Sequence, residues 1–292
     1  MKFLLLFLLS LSSLFATLNV QTTYTTVAEI VKKVGGEHVR VNTLASAHYD
    51  PHFIVPKPSL ISKLRRADVL VMNGAGLELG WLPPLLKGAH NGKIRPGAKG
   101  FIDISNAINL IDKPVAVSRA FGDVHAQGNP HYMLDPYNVL PVAKLISEKL
   151  SINDPSNASD YAINLVKFEK EWSSYLEKLD AKMSTCRDKK VLQYHELFNY
   201  FLNRYGFKSF GNIEPLPGVS PSSKHTVELI KVMKDNNIKK IVHDVYHSQK
   251  TGKFIASKTG AKVLVLPHDV NSVDEADTLE NFYSFIAGQL CQ

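Results

Sequence analysis

Short β-rich runs alternate with amphipathic stretches along nearly the whole chain. Apolar and β-branched residues concentrate at 17-TLNVQTTY-24, 38-HVRVNTLA-45, 67-ADVLVMNG-74 and 99-KGFIDIS-105, and again at 189-KKVLQY-194, 207-FKSFGN-212, 238-IKKIVHD-244 and 262-KVLVLP-267. Runs of this length and composition predict strands. Helical spacing is predicted over 25–36, 58–67, 196–206, 222–236, 250–260 and 274–290. The first of these opens on a threonine able to cap and closes on two glycines, and the second carries Pro58 in its first turn. One segment differs in length. From about Asn157 to Met183 the apolar residues Tyr161, Leu165, Phe168, Trp172, Tyr175, Leu179 and Met183 recur every three or four positions, with no Gly or Pro inside. At 1.5 Å per residue this predicts a rod of about 40 Å. Strands alternating with helices call for α/β layers built on parallel sheets. The expected fold is two similar α/β lobes, each with a mostly parallel sheet, joined by one long backbone helix. The boundaries read as 17–150 for the first lobe, 151–185 for the linking helix and 186–292 for the second lobe.

The chain ends and the charge narrow the setting. Lys2 precedes an apolar run from Phe3 to Leu9, then Ser10 to Ser13 and Ala16, which is the pattern of a secretory signal peptide over 1–16. The run falls short of the roughly 20 apolar residues a membrane span needs. No cysteine follows it, so the expectation is a soluble periplasmic chain starting near Thr17. The formal charge of +7 comes from lysines dispersed among acids, as in 167-KFEKEW-172, so neither nucleic acid nor anionic lipid is an expected partner and the chain is expected to be a monomer. The two cysteines, Cys186 and Cys291, are expected to pair in an oxidising compartment, tying the last helix to the start of the second lobe. Two thiols are too few for a Cys-based metal site.

Histidine carries the chemistry. Of eleven, four stand where an extended segment gives way to a loop or helix: His52 in 50-DPHFIVPKPS-59, His131 in 129-NPHYMLDP-136, His195 in 194-YHELFNYF-201 and His268 in 266-LPHDV-270. In α/β sheets ligands collect at the carboxyl ends of strands. His52 and His131 each follow a proline, which keeps the local backbone extended or turned and leaves the ring free to project. Three such imidazoles with Asp269 suit a borderline cation: Zn²⁺ takes imidazole nitrogen at about 2.0–2.1 Å and a carboxylate at a fourth tetrahedral corner. Hard cations such as Ca²⁺ or Mg²⁺ need more oxygen ligands than this set offers.

Other patterns fail on single residues. His195-Glu196 begins like a zincin H-E-x-x-H helix, but Asn199 stands where the second histidine belongs. Gly74-Ala75-Gly76 follows a strand, yet Leu79 replaces the third glycine of a dinucleotide fingerprint. His243 and His247 could share a metal on a helix, but they continue a β-rich run and read as a strand end near the cleft.

Five segments in this order, 50-DPHFIVPKPS-59, 73-NGAGLELGWL-82, 130-PHYMLDP-136, 194-YHELFNYFLNRYG-206 and 213-IEPLPGVSPSSKH-225, around one long helix, resemble the periplasmic metal-binding proteins of ABC importers for zinc and manganese. The resemblance runs from Thr17 to the end. It implies that His52, His131 and His195 are ligands, that a carboxylate after the last strand is the fourth, and that the partner is a membrane permease. Manganese-preferring members often carry Glu at the third position, so His195 favours Zn²⁺, with Mn²⁺ second. Pro267 stands where many members place the acid; Asp269 is the residue expected to replace it, with His268 and Asp244 as rivals. Asp135 and Glu196 are the expected orienting partners of the rings. Many zinc members carry a His-rich loop before the second ligand, whereas 117-VSRAFGDVHAQGN-129 holds only His125. The rival from another class is a secreted zinc hydrolase, which would keep one coordination position open.

Overall fold

The computed structural model describes residues 17–114 and 125–292. The leader read at 1–16 and most of the loop holding His125 lie outside the described residues. In the first lobe, β1 (Leu18–Thr22), α1 (Thr25–Gly35), β2 (Val39–Thr43), α2 (Pro58–Arg65), β3 (Val69–Met72), α3 (Leu82–Ala89) and β4 (Phe101–Asp103) alternate, and α4 (Val139–Asn153) closes the lobe. The 27-residue α5 (Ala158–Ser184) follows. The second lobe then runs β5 (Lys190–Gln193), α6 (Asn199–Arg204), β6 (Lys208–Asn212), α7 (Ser223–Asp235), β7 (Lys240–Asp244), α8 (Lys250–Thr259), β8 (Lys262–Leu266) and α9 (Leu279–Leu290).

The two sheets have the same topology. Their orders are β2-β1-β3-β4 and β6-β5-β7-β8, and every pairing is parallel. The chain is therefore two α/β lobes joined by one long helix, although no sequence repeat announces the matching strand order. Parallel strands need covered faces, and the buried runs Val69-Leu70-Val71 and Ile241-Val242 show why these segments are continuously apolar.

Helix α5 is the spine of the molecule. It packs on α1 and α4 on one side and on α9 on the other. Its buried face is Tyr161, Phe168, Trp172, Leu176, Leu179 and Met183, each side chain contributing roughly 1.5–3 kcal/mol by burial. Trp172 donates its indole N–H to Pro136 O at 2.9 Å, and the Tyr175 hydroxyl donates to Glu280 O at 2.8 Å. Cys186, just past α5, is bonded to Cys291 at the chain end, with their Cα atoms 4.7 Å apart. Among the described residues no helix is long and apolar enough to cross a membrane.

Three local features depart from the sequence pattern. Helices α3 and α4 were not expected: Pro83, Pro84 and Gly88 interrupt the first, and Pro141 stands in the first turn of the second. The segment 196–206 opens as a 3₁₀ turn before α6, and 274–290 breaks between a 3₁₀ turn and α9. Helix α1 is preceded by Tyr24, not by a capping threonine, and no side chain of its own segment caps it. Its first N–H groups find a partner in the other lobe.

Candidate metal centre

The carboxyl ends of the strands of both sheets face a common cleft, and three histidines meet there. His52, His131 and His195 each offer a nitrogen within 4.8 Å of the other two, and among the described residues this is the group able to hold a metal ion. Ring centroids are 5.1 Å apart for His52–His131, 5.9 Å for His52–His195 and 5.5 Å for His131–His195, all roughly edge-on. Bonds of about 2.1 Å to a tetrahedral ion place ligand nitrogens about 3.4 Å apart, so shifts of about an ångström close the site.

Each ring is aimed by its own scaffold. In the first loop Asp50 accepts from His52 N at 2.9 Å and from His52 Nδ1 at 2.7 Å through one oxygen, which leaves Nε2 as the free nitrogen. Pro51 O, one residue before the ligand, receives the Tyr24 hydroxyl at 2.9 Å and the Trp81 N–H at 3.1 Å. Burial works against ionising Asp50, but the hydrogen bonds and charge of His52 hold its carboxyl below the usual range. His195 follows β5; its Nδ1 lies 2.7 Å from Glu214 Oε2, while Glu214 Oε1 accepts from Gly218 N at 2.9 Å. A carboxylate on Nδ1 fixes both tautomer and ring direction.

His131 is held through its backbone. Its N–H donates to Asn129 Oδ1 at 3.0 Å, and Asn73 donates to Pro130 O at 3.0 Å. From the other lobe, the Tyr200 hydroxyl donates to Asn129 O at 2.7 Å. Nε2 of His131 is buried with no protein partner. Burial, and then the neighbouring charges of His52, His195, His125 and His268, push the His131 imidazole well below its ordinary pKa, so it is held as the neutral, ligating form.

Asp269, expected as the fourth ligand, lies outside this group. It is buried after β8 and turned to the amino end of α1: its oxygens accept from Thr25 N at 2.9 Å, Thr26 N at 2.6 Å and the Thr26 hydroxyl. The N–H groups at the start of a helix carry partial positive charge and lack intrahelical partners, which is the setting a carboxylate satisfies best. Asp244, one rival, accepts from Tyr246 N, His247 N and His247 Nδ1 in the turn after β7. His268, the other, packs edge-on to Tyr246 with centroids 4.8 Å apart.

The expected orienting acids are also elsewhere. Asp135 forms a fork with Arg204, with contacts of 2.7–3.1 Å, and caps the turn at Pro136. Among the described residues Glu196 hydrogen-bonds no histidine, and burial raises its carboxyl pKa. Asp50 and Glu214 do the orienting. Both were in view, two residues before His52 and within 213-IEPLPGVSPSSKH-225, but only folding shows which acid reaches which ring. His125 was also undervalued: its ring stacks on His52 with centroids 5.3 Å apart, its buried Nε2 has no partner among the described residues, and burial with the His52 and His195 charges pushes its pKa down to about 4.

A family model described as the periplasmic zinc-uptake complex component A, ZnuA, matches residues 20–291. The zinc-binding lipoprotein AdcA of Streptococcus pneumoniae is 28% identical over 282 residues, covering 94% of this chain and 54% of its own length. The chain thus spans about half the length of that curated relative. The metal ABC transporter substrate-binding lipoprotein SloC of Streptococcus mutans is 32% identical over 227 residues, covering 72% of this chain and 70% of SloC. Among solved structures, a crystal structure of ZnuA superposes with a TM-score of 0.77 at 26% identity, covering 94% of this chain and 98% of that one.

Proposed function

This chain belongs to the family of periplasmic zinc-uptake complex component A proteins, and we propose that it captures Zn²⁺ in the interlobe cleft and releases it to the membrane permease of an ABC importer. The observation that carries the reading is the meeting of His52, His131 and His195, drawn from both lobes, with their ligand nitrogens within 4.8 Å of one another. Those three are the ligands. The fourth position belongs to water or to a group that moves in when the ion binds, because the Asp269 carboxylate already satisfies α1. Two carboxylates, Asp50 and Glu214, stand directly behind two of the ligand rings, so their charge matches a divalent ion without direct contact. A nitrogen-only donor set favours Zn²⁺ over Mn²⁺, which prefers oxygen ligands. The chain works outside the cytoplasmic membrane.

An open fourth position is also what a zinc hydrolase requires. A hydrolase needs a free base beside that position, and here Asp50 and Glu214 are both committed to imidazole N–H groups. The transport reading is therefore preferred.

A thermal scan tests capture. A ligand present at a thousandfold over its dissociation constant adds about 4 kcal/mol, which for a chain of this size raises Tm by roughly 10 °C. Metal-free protein should show that rise with Zn²⁺ and a smaller one with Mn²⁺, and chelator should reverse it. Coincident curves with and without Zn²⁺ would refute a tight site.

A further inference from the structure

Next to the histidine cluster, a chain of side chains with His247 at its centre reaches from the second lobe towards the first. His247 lies in the turn after β7, in the second lobe. Its ring packs against Tyr194 and Tyr246, each with a centroid 4.5 Å away. Its Nδ1 donates to Asp244 Oδ2 at 2.9 Å, and its N–H to Asp244 Oδ1 at 2.7 Å, so backbone and ring share one anchor. Asp244 is itself buried, at 1% exposure. The remaining nitrogen, Nε2, faces the other lobe, 4.0 Å from Asp50 Oδ2. The second oxygen of that same carboxylate holds His52 at 2.7 Å. A small cavity of about 30 Å³ adjoins the gap, lined by Asp50, His52, His195, Glu214 and His247 among others, enough for a single water.

We propose that His247 is a positioning residue for metal retention: from the second lobe it braces Asp50, and through Asp50 the ring of His52 in the first. One water, or a slight approach of the lobes, completes the His247–Asp50 link. His52 then resists swinging away from the ion while the lobes stay together, and loses that brace when they part. Release is thereby tied to lobe separation without any direct contact between His247 and the metal. The tyrosines and the Asp244 anchor hold the His247 ring with its outer nitrogen turned towards the Asp50 carboxylate. Burial lowers the basicity of His247, but the hydrogen bond to Asp244 and the charges of Asp244, Asp50 and Glu214 outweigh it and raise the pKa of the imidazole.

This inference rests on the zinc-capture reading, and the test separates the two. Zn²⁺ release into excess chelator is timed by stopped flow for wild type, His247→Phe, His247→Gln, Asp50→Asn and the double variant His247→Phe/Asp50→Asn. Phenylalanine keeps the aromatic packing against the tyrosines and removes the donor; glutamine restores one. His247→Phe should bind one Zn²⁺ per chain and release it about tenfold faster, His247→Gln should recover most of the rate, and the phenylalanine effect should vanish in the Asp50→Asn background. Unchanged release in His247→Phe, or the same acceleration with and without Asp50, would overturn the proposal. A wild-type chain that binds no Zn²⁺ would instead refute the capture reading on which it stands.

Discussion

Asp269 and Glu214 show how two buried acids near one cleft can have different tasks. Glu214 points at a ring nitrogen, and Asp269 at the first peptide N–H groups of a helix some 240 residues earlier in the chain. The partner of a carboxylate in three dimensions is not a local property, so the sequence around Asp269 does not tell a ligand from a helix cap. Its immediate surroundings, 266-LPHDV-270 at a strand end, are what a ligand would have. The histidines were easier to read, because a proline before the ring and a strand end beside it are local signals. Different outcomes follow for the two acids. Asp269→Ala removes a cap and should cost about 1–2 kcal/mol of stability in chelator while leaving one Zn²⁺ bound per chain. Glu214→Gln loses the charge that orients His195 and should weaken Zn²⁺ binding by 10–100-fold with a smaller change in stability. Urea unfolding and zinc titration read both. A collapse of zinc affinity in Asp269→Ala at unchanged stability would make Asp269 a ligand.

At the scale of elements, the strands and α5 were legible because their periods are strong and uninterrupted. Helices α3 and α4 were not, because prolines in their first turns resemble breakers unless they are recognised as helix starts. The repeat of Val139, Val142, Ala143, Ile146 and Leu150 in α4 held the missed signal. The bridge between Cys186 and Cys291 staples the end of α5 to the end of α9 and closes a loop across 105 positions of sequence. In the chain-entropy account, a loop of that length is worth about 4–5 kcal/mol to the folded state. Reduction, or Cys291→Ser, should therefore lower the unfolding midpoint markedly, while zinc stoichiometry at temperatures where the fold persists stays at one. A midpoint unmoved by reductant would mean that the packing of α9 on α5 already holds the second lobe alone.

At the scale of the molecule, two lobes of equal topology share one buried spine and are tied across the cleft by Asp269 at α1 and Tyr200 at Asn129. An unbroken α5 with ties on both sides predicts a closure limited to a small tilt. The gathering of imidazoles also shapes how stability depends on pH. Burial and neighbouring charge push His125 down to about 4 in the folded state, whereas the unfolded value is about 6.5. The unfolded chain therefore takes up a proton that the folded chain refuses, so the His125 contribution is present above pH 6.5 and is lost as pH falls towards 4. Glu78 works in the opposite sense: burial pushes it up to about 7, so its contribution is full below about pH 4.5 and is lost as pH rises through 7. A difference isolates the histidine. In chelator, His125→Asn should gain on wild type by about 2 kcal/mol between pH 7.5 and pH 5, read as urea midpoints. A gap that stays constant with pH would contradict the arrangement around His125.

The convergence of three imidazoles from two lobes on one ion is tested most directly by zinc K-edge X-ray absorption on the chain loaded with one Zn²⁺. The predicted spectrum has three imidazole nitrogens at about 2.0–2.1 Å, with the outer-ring scattering that identifies histidine, and one further nitrogen or oxygen. Fewer than three imidazoles, or a sulfur shell near 2.3 Å, would contradict it.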